Sequence, residues 1–98
     1  MLDNKFDNAK EAIAERLSFP KEIIMDLPKL TFIGNKEIDI ENHKGIIMFK
    51  DEELKVKTNF GTITIKGTDF EILFISGGNI TLSGIIEAVV MDRHEGVW

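Results

Sequence analysis

The sequence predicts a mainly β domain: about seven short strands in an antiparallel meander, closing into a sandwich or partial barrel, with one amphipathic helix at the N-terminus. Three observations carry this. Apolar and polar residues alternate through most of Leu30 to Met91, turn-forming residues interrupt the alternation at 7 to 10 residue intervals, and the first 17 residues alone repeat at steps of three and four. Alternation of period two lines one face of an extended strand, whereas steps of three and four make a stripe along a helix.

The helical stripe is Leu2, Phe6, Ala9, Ile13 and Leu17, with Lys5, Asp7, Lys10, Glu11 and Glu15 lying mostly away from it. Asp3 or Asn4 can cap its start, and Ser18-Phe19-Pro20 stops it, because a residue before proline is pushed out of the α region. The mixed charge of the polar face suits a helix folded onto its own sheet. A membrane-surface or partner-binding helix is the alternative, and the membrane version calls for a strongly basic face. Residues 1–18 are therefore assigned to the helix and 19–98 to a β region within one domain.

Pro20 and Pro28 bracket an apolar patch in which Ile23, Ile24 and Leu27 seal one end of the core. Two prolines this close favour an extended or single-turn connector. Strands are then expected at 29–33, 37–41, 45–50, 53–58, 61–66, 69–75 and 79–91. Gly34-Asn35-Lys36, Asn42-His43-Lys44, Asp51-Glu52, Asn59-Phe60, Gly67-Thr68 and Gly77-Gly78 separate them. Such residues tolerate positive φ or bond their own backbone, and connections this short favour antiparallel neighbours.

A repeat runs through the strands. Gly45, Gly61 and Gly78 open three units; two positions later stand Ile47, Ile63 and Ile80, and six positions later Asp51, Gly67 and Gly84. Their 16 and 17 residue spacing leaves a small β-solenoid open as the alternative fold, since glycine corners can join rungs around a narrow core.

The faces of the strands differ. Leu54 and Val56 oppose Glu53, Lys55 and Lys57, and Ile63 and Ile65 oppose Thr62, Thr64 and Lys66, so these strands are one-sided. In contrast, 45–49, the end of 70–75 and 89–91 are apolar on both faces. Ile46, Met48, Leu73, Ile75, Val89 and Met91 are thus the candidate interaction surface. Its cover is the N-terminal stripe, a protein partner or a second copy of the chain.

Composition narrows the function. A formal net charge of -5 without a basic patch argues against nucleic-acid binding. With no cysteine, thiolate catalysis, disulfides and cysteine metal sites are excluded. No stretch reaches the roughly 20 apolar residues of a transmembrane helix, and residues 1–17 lack the pattern of a secretory signal. Ser18, Ser76 and Ser83 with His43 or His94 form no recognisable nucleophile context, and Asp92, His94 and Glu95 make a poor metal set. No catalytic, cofactor-binding or metal-binding residue is assigned, and a non-enzyme is expected.

The stretch Ile40-Glu41-Asn42-His43-Lys44-Gly45-Ile46, with Asp26-Leu27-Pro28-Lys29-Leu30-Thr31-Phe32-Ile33-Gly34-Asn35 before it, resembles the YabP/YqfC family of sporulation proteins, and within it the YqfC branch. Gly61-x-Ile63-x-Ile65-x-Gly67-x-x-Phe70-x-Ile72 and Ile80-x-Leu82-x-Gly84-x-Ile86 extend the likeness, which covers roughly 19–91. The resemblance implies a small accessory protein of the mother cell, cytoplasmic or peripheral at the forespore envelope, acting late in coat or cortex assembly. It implies a protein partner, including a membrane-embedded sporulation protein, or self-association. The family supplies no catalytic residues, so Glu41, Asn42, His43, Lys44 and Gly45 are read as a structural turn. A small-ligand or cell-wall glycan-binding module is the alternative, which one Trp and no Tyr make a poor fit.

Overall fold

The structure, a computed structural model, describes residues 25–93. The chain forms six strands: β1 (Lys29–Ile33), β2 (Glu37–Glu41), β3 (Gly45–Lys50), β4 (Glu53–Lys57), β5 (Gly61–Ser76) and β6 (Asn79–Arg93). They make one antiparallel sheet in the order β1-β2-β6-β5-β4-β3. The mainly β, antiparallel expectation holds, and the helix expected over 1–18 lies outside the described residues.

Two details differ from the sequence-based expectation. The segments 61–66 and 69–75 are one continuous strand, β5, because Gly67-Thr68 forms an irregularity in the ladder with β6 instead of a reversal. Gly84 lies within β6, as the expected strand 79–91 places it. The meander also breaks once. β2 pairs with β6 and β3 with β4, so the chain between β2 and β3 crosses from one side of the long β5–β6 hairpin to the other.

A repeat of connectivity replaces the rungs of a solenoid. Hairpin β1–β2 lies along the first half of β6, and hairpin β3–β4 lies along the first half of β5. The two hairpin tips make equivalent bonds. Gly84 N and Ile86 N donate to Lys36 O and Asn35 O at 3.1 and 2.7 Å, while Gly67 N and Phe70 N donate to Glu52 O and Asp51 O at 3.1 and 2.8 Å.

Cross-strand registers place the inward side chains in four rows. Leu30–Ile40–Ile80–Ile75 and Phe32–Ile38–Leu82–Ile72 belong to the β1–β2 half. Ile46–Val56–Ile63–Met91 and Phe49–Leu54–Ile65–Val89 belong to the β3–β4 half. In every row the two central residues are buried to within 1% of complete exclusion, and Phe70 joins them at the bend. Each fully buried aliphatic side chain contributes about 1.5–3 kcal/mol, so these eight form the main stabilising block.

The rows share one core because the long hairpin folds back. The sixteen residues of β5 would span about 50 Å if straight. Yet His43 N donates to Gly78 O at the hairpin tip while the next residue, Lys44, donates from its N to Lys57 O beside the start of β5. One dipeptide therefore ties together both ends of the long strand. The register shifts at Lys66/Gly67 and Thr68/Glu71 supply the bend, as irregular ladders raise local twist and turn a strand.

Candidate functional site: the crossover loop and the open edge

The β2–β3 crossover holds the five motif residues, and its shape follows from Asn42. Asn42 has a φ of 66°, in the left-handed region that asparagine tolerates better than most residues. Its Nδ2 donates to Asp26 Oδ1 at 3.1 Å and to Leu27 O at 3.0 Å, and Lys44 Nζ reaches the same carboxylate oxygen at 2.8 Å. Asp26, itself at a φ of 58°, thus clamps the entrance of β1 to the crossover. The Lys44 and Asn42 bonds hold its carboxyl below the usual aspartate range.

His43 occupies the inner side of the crossover and is 8% exposed. Its Nδ1 accepts from Gly45 N at 3.0 Å, which assigns the proton of the neutral ring to Nε2. That Nε2 is buried without a hydrogen-bond partner among the described residues. Burial pushes the imidazole below its ordinary value, because a charged ring would lose its hydration here. Glu41 is exposed at the end of β2. The turn reading of Glu41 to Gly45 corresponds to a connection that holds three chain segments together.

Among the described residues no carboxylate bonds His43, and Ser83 Oγ donates to the backbone of Glu71 at 3.4 Å. No cluster of three or more His, Asp or Glu side chains occurs among the described residues. His94, Glu95 and Ser18 lie outside them. No helix among them is long and apolar enough to cross a membrane.

The candidate surface residues are dispersed by the fold. Ile46 and Met91 lie at opposite ends of one inward row, and Ile75 ends the equivalent row of the other half. Met48 pairs with Lys55 and is half-buried, and Val89 packs against the core. Leu73 and Ile75 come together, and they bring a residue the sequence did not single out. Leu73, Phe74 and Ile75 are 53, 55 and 53% exposed in consecutive positions of β5. Beyond the stretch facing β4, this half of β5 pairs with β6 alone among the described residues, leaving its outer edge open. An apolar run that exceeds the partner strand's length was the available signal for it. Beside Phe74 lies a shallow groove lined by Asp39, Glu41, Asn79 and Thr81.

The Asp26 contact is the other feature the sequence did not disclose. Sixteen residues separate Asp26 from Asn42, and only the register of β1 with β2 brings them side by side.

Comparison with known proteins agrees with the motif. The YabP family model matches residues 26–97, from the Asp26 clamp to the penultimate residue. The "Uncharacterized protein YqfC" of Bacillus subtilis (strain 168) is 35% identical over 88 residues, covering 90% of this chain and 95% of that relative.

Proposed function

The chain belongs to the YabP family, and from that premise we propose that it is a non-enzymatic protein of endospore formation that acts by binding other protein chains. The observation that carries the binding reading is the open edge of β5, where three consecutive large apolar side chains are more than half exposed. Large apolar side chains exposed along a strand edge suit an interaction site, and an unpaired edge offers a ready row of backbone donors and acceptors. The sporulation setting is what the family resemblance implies: the mother cell, at or near the forespore envelope, during late coat or cortex assembly, with a membrane-embedded protein among the partners.

Crosslinking and pull-down from sporulating cells tests this. The wild-type chain should retain one or a few envelope-assembly proteins, and Leu73→Lys with Phe74→Lys should lose them while staying folded. Normal envelope assembly and spore resistance in cells carrying that double variant would count against the proposal.

One feature favours a second reading, a small-ligand or cell-wall glycan-binding module: the groove beside Phe74 joins an aromatic ring to Asp39, Glu41, Asn79 and Thr81. Saturable thermal stabilisation by glycan fragments, abolished by Phe74→Ala, would establish it.

A further inference from the structure

We infer that copies of this chain stack head to tail, the outer face of the β1–β2 half of one copy lying on the outer face of the β3–β4 half of the next. This goes beyond the open-edge reading, since it uses the outer faces of β2 and β4. Residues directly opposite in antiparallel strands share a face, so the registers sort the outward side chains by half. Outside the β1–β2 half stand Glu37, Asp39, Glu41 and Glu71, with Lys29 as the one cation in these rows, opposite Glu41. Outside the β3–β4 half stand Lys50, Lys55, Lys57 and Lys66, with Glu53 and Asp92 as the anions. The net charge of -5 conceals this separation: one face is acidic and the other basic.

Three features select a second copy as the occupant. The first is that the signs complement each other place for place. β2 reads Glu37-Ile38-Asp39-Ile40-Glu41 and β4 reads Glu53-Leu54-Lys55-Val56-Lys57. Each is the inner strand of its hairpin, beside the β5–β6 pair, and the two hairpin tips make equivalent bonds to that pair. Asp39 and Glu41 therefore occupy the places that Lys55 and Lys57 hold in the other half. Each pair stands two residues apart, about 7 Å along its strand, so two carboxylates of one copy meet two ammonium groups of the next at one spacing. The middle rows match as well, Asp39–Thr81–Phe74 on one face and Lys55–Thr64–Val90 on the other. The second feature is direction. Both halves turn their inner faces to one core, so the outer faces point away from each other, and one copy engages two neighbours where a different partner would suit only one face. The third is that like faces repel, so the contact is heterologous and adds copies in an open row.

Exposed ion pairs are weak and salt-screened, so stacking is expected at about 0.1–1 mM protein in about 10 mM salt and is lost in about 0.5 M salt. Sedimentation equilibrium of the full chain tests it, with an average mass that climbs past the dimer as concentration rises. Glu41→Lys with Glu71→Lys, and Lys57→Glu with Lys66→Glu, change only exposed positions, and each double variant should associate at least about tenfold more weakly. Mixed one to one, the two should associate again, because each presents its unaltered face to the other. Both double variants remain net negative, so overall charge attraction does not explain that recovery. Where either fails to fold, Asp39→Asn and Lys55→Met neutralise the middle rows and should each weaken association severalfold. A wild-type chain that stays monomeric at the top of the range, or a mixture no more associated than its separate variants, overturns the inference. A monomeric chain that instead binds oligolysine through Glu41 and Glu71, or phosphatidylglycerol vesicles through Lys57 and Lys66, overturns it too and assigns the faces to a basic partner or a lipid surface. Protein capture that depends on Leu73 is a separate measurement, so the open-edge reading stands or falls apart from stacking.

Discussion

Phe70 lies over Gly84: a Cβ on Gly84 would stand 2.7 Å from Phe70 Cδ1, and one on Gly67 would stand 2.8 Å from Phe70 Cζ. The ring fills the inside of the bend that both glycines make possible. Backbone is close as well, since the Gly67 Cβ would collide with Ile85 O and the Gly84 Cβ would meet Asp69 O and Thr68 O at 2.8 Å.

Alanine at either glycine should therefore destabilise the fold by about 2–4 kcal/mol, the range of overpacking and backbone strain combined. Phe70→Ala should cost about 3–5 kcal/mol through its cavity. Because Phe70 supplies part of the obstruction at Gly84, the double change Gly84→Ala with Phe70→Ala should cost less than the sum. At Gly67 the obstruction is chiefly the Ile85 backbone, so the corresponding pair should come closer to additive. Urea unfolding of the single and double variants measures both; equal coupling at the two glycines would contradict the stated geometry.

Asn42 has two separable roles, a left-handed backbone and a side chain that bonds Asp26 and Leu27. Asn42→Ala loses both and should cost about 1–3 kcal/mol. Asn42→Gly keeps the conformation and loses the bonds, so it should be the milder change despite glycine's greater unfolded-state freedom. Chemical denaturation ranks the two. A more stable alanine variant would remove the conformational argument.

Much of this fold is legible in the alternation of the strands. Ile38, Ile40, Leu54, Val56, Ile63, Ile65, Ile80 and Leu82 are apolar at every second position, and all are buried. The path of the chain is not legible in the same way. Gly67 looks like a reversal because glycine serves turns and strand irregularities alike, and the clash that an alanine there would make with the Ile85 backbone distinguishes the two. The crossover was half visible. Asn42 and Gly45 announce a turn, but Asp26 and Gly78, the groups it fastens, are distant in sequence. The apolar run near Leu73 signalled a surface without showing that β4 ends before reaching it.

The Asp26 carboxyl gives a local test of the clamp. Its depressed value arises first from the Lys44 bond, then from Asn42. For an acid lowered in the folded state, the stabilisation is present above the unfolded value of 3.8 and is lost as pH falls through the folded value. Carboxyl titration by NMR should show Asp26 moving up toward 3.8 in Lys44→Met, and by a smaller amount in Asn42→Ala. No movement in Lys44→Met would separate the ammonium from the clamp.

His43 supplies the opposite side of the pH range. Its imidazole is pushed below 6.5 by burial, so near and below that pH the unfolded chain binds a proton that the folded chain resists. With more protons bound in the unfolded state, stability rises with pH. His43 therefore contributes fully above about 6.5 and loses that contribution as pH falls below it, levelling off beneath the folded value. Protonation of Nδ1 would also remove the acceptor for Gly45 N, loosening the crossover at the start of β3. The chain has one other histidine, His94, so the measurement belongs in a His94→Gln background. Urea midpoints there should fall between pH 7.5 and pH 5.5, and that decline should flatten in His43→Gln. The histidine variant should also be less stable at pH 7.5, where the Nδ1 bond is intact. A decline of equal slope in both chains would assign the acid sensitivity to carboxylates elsewhere.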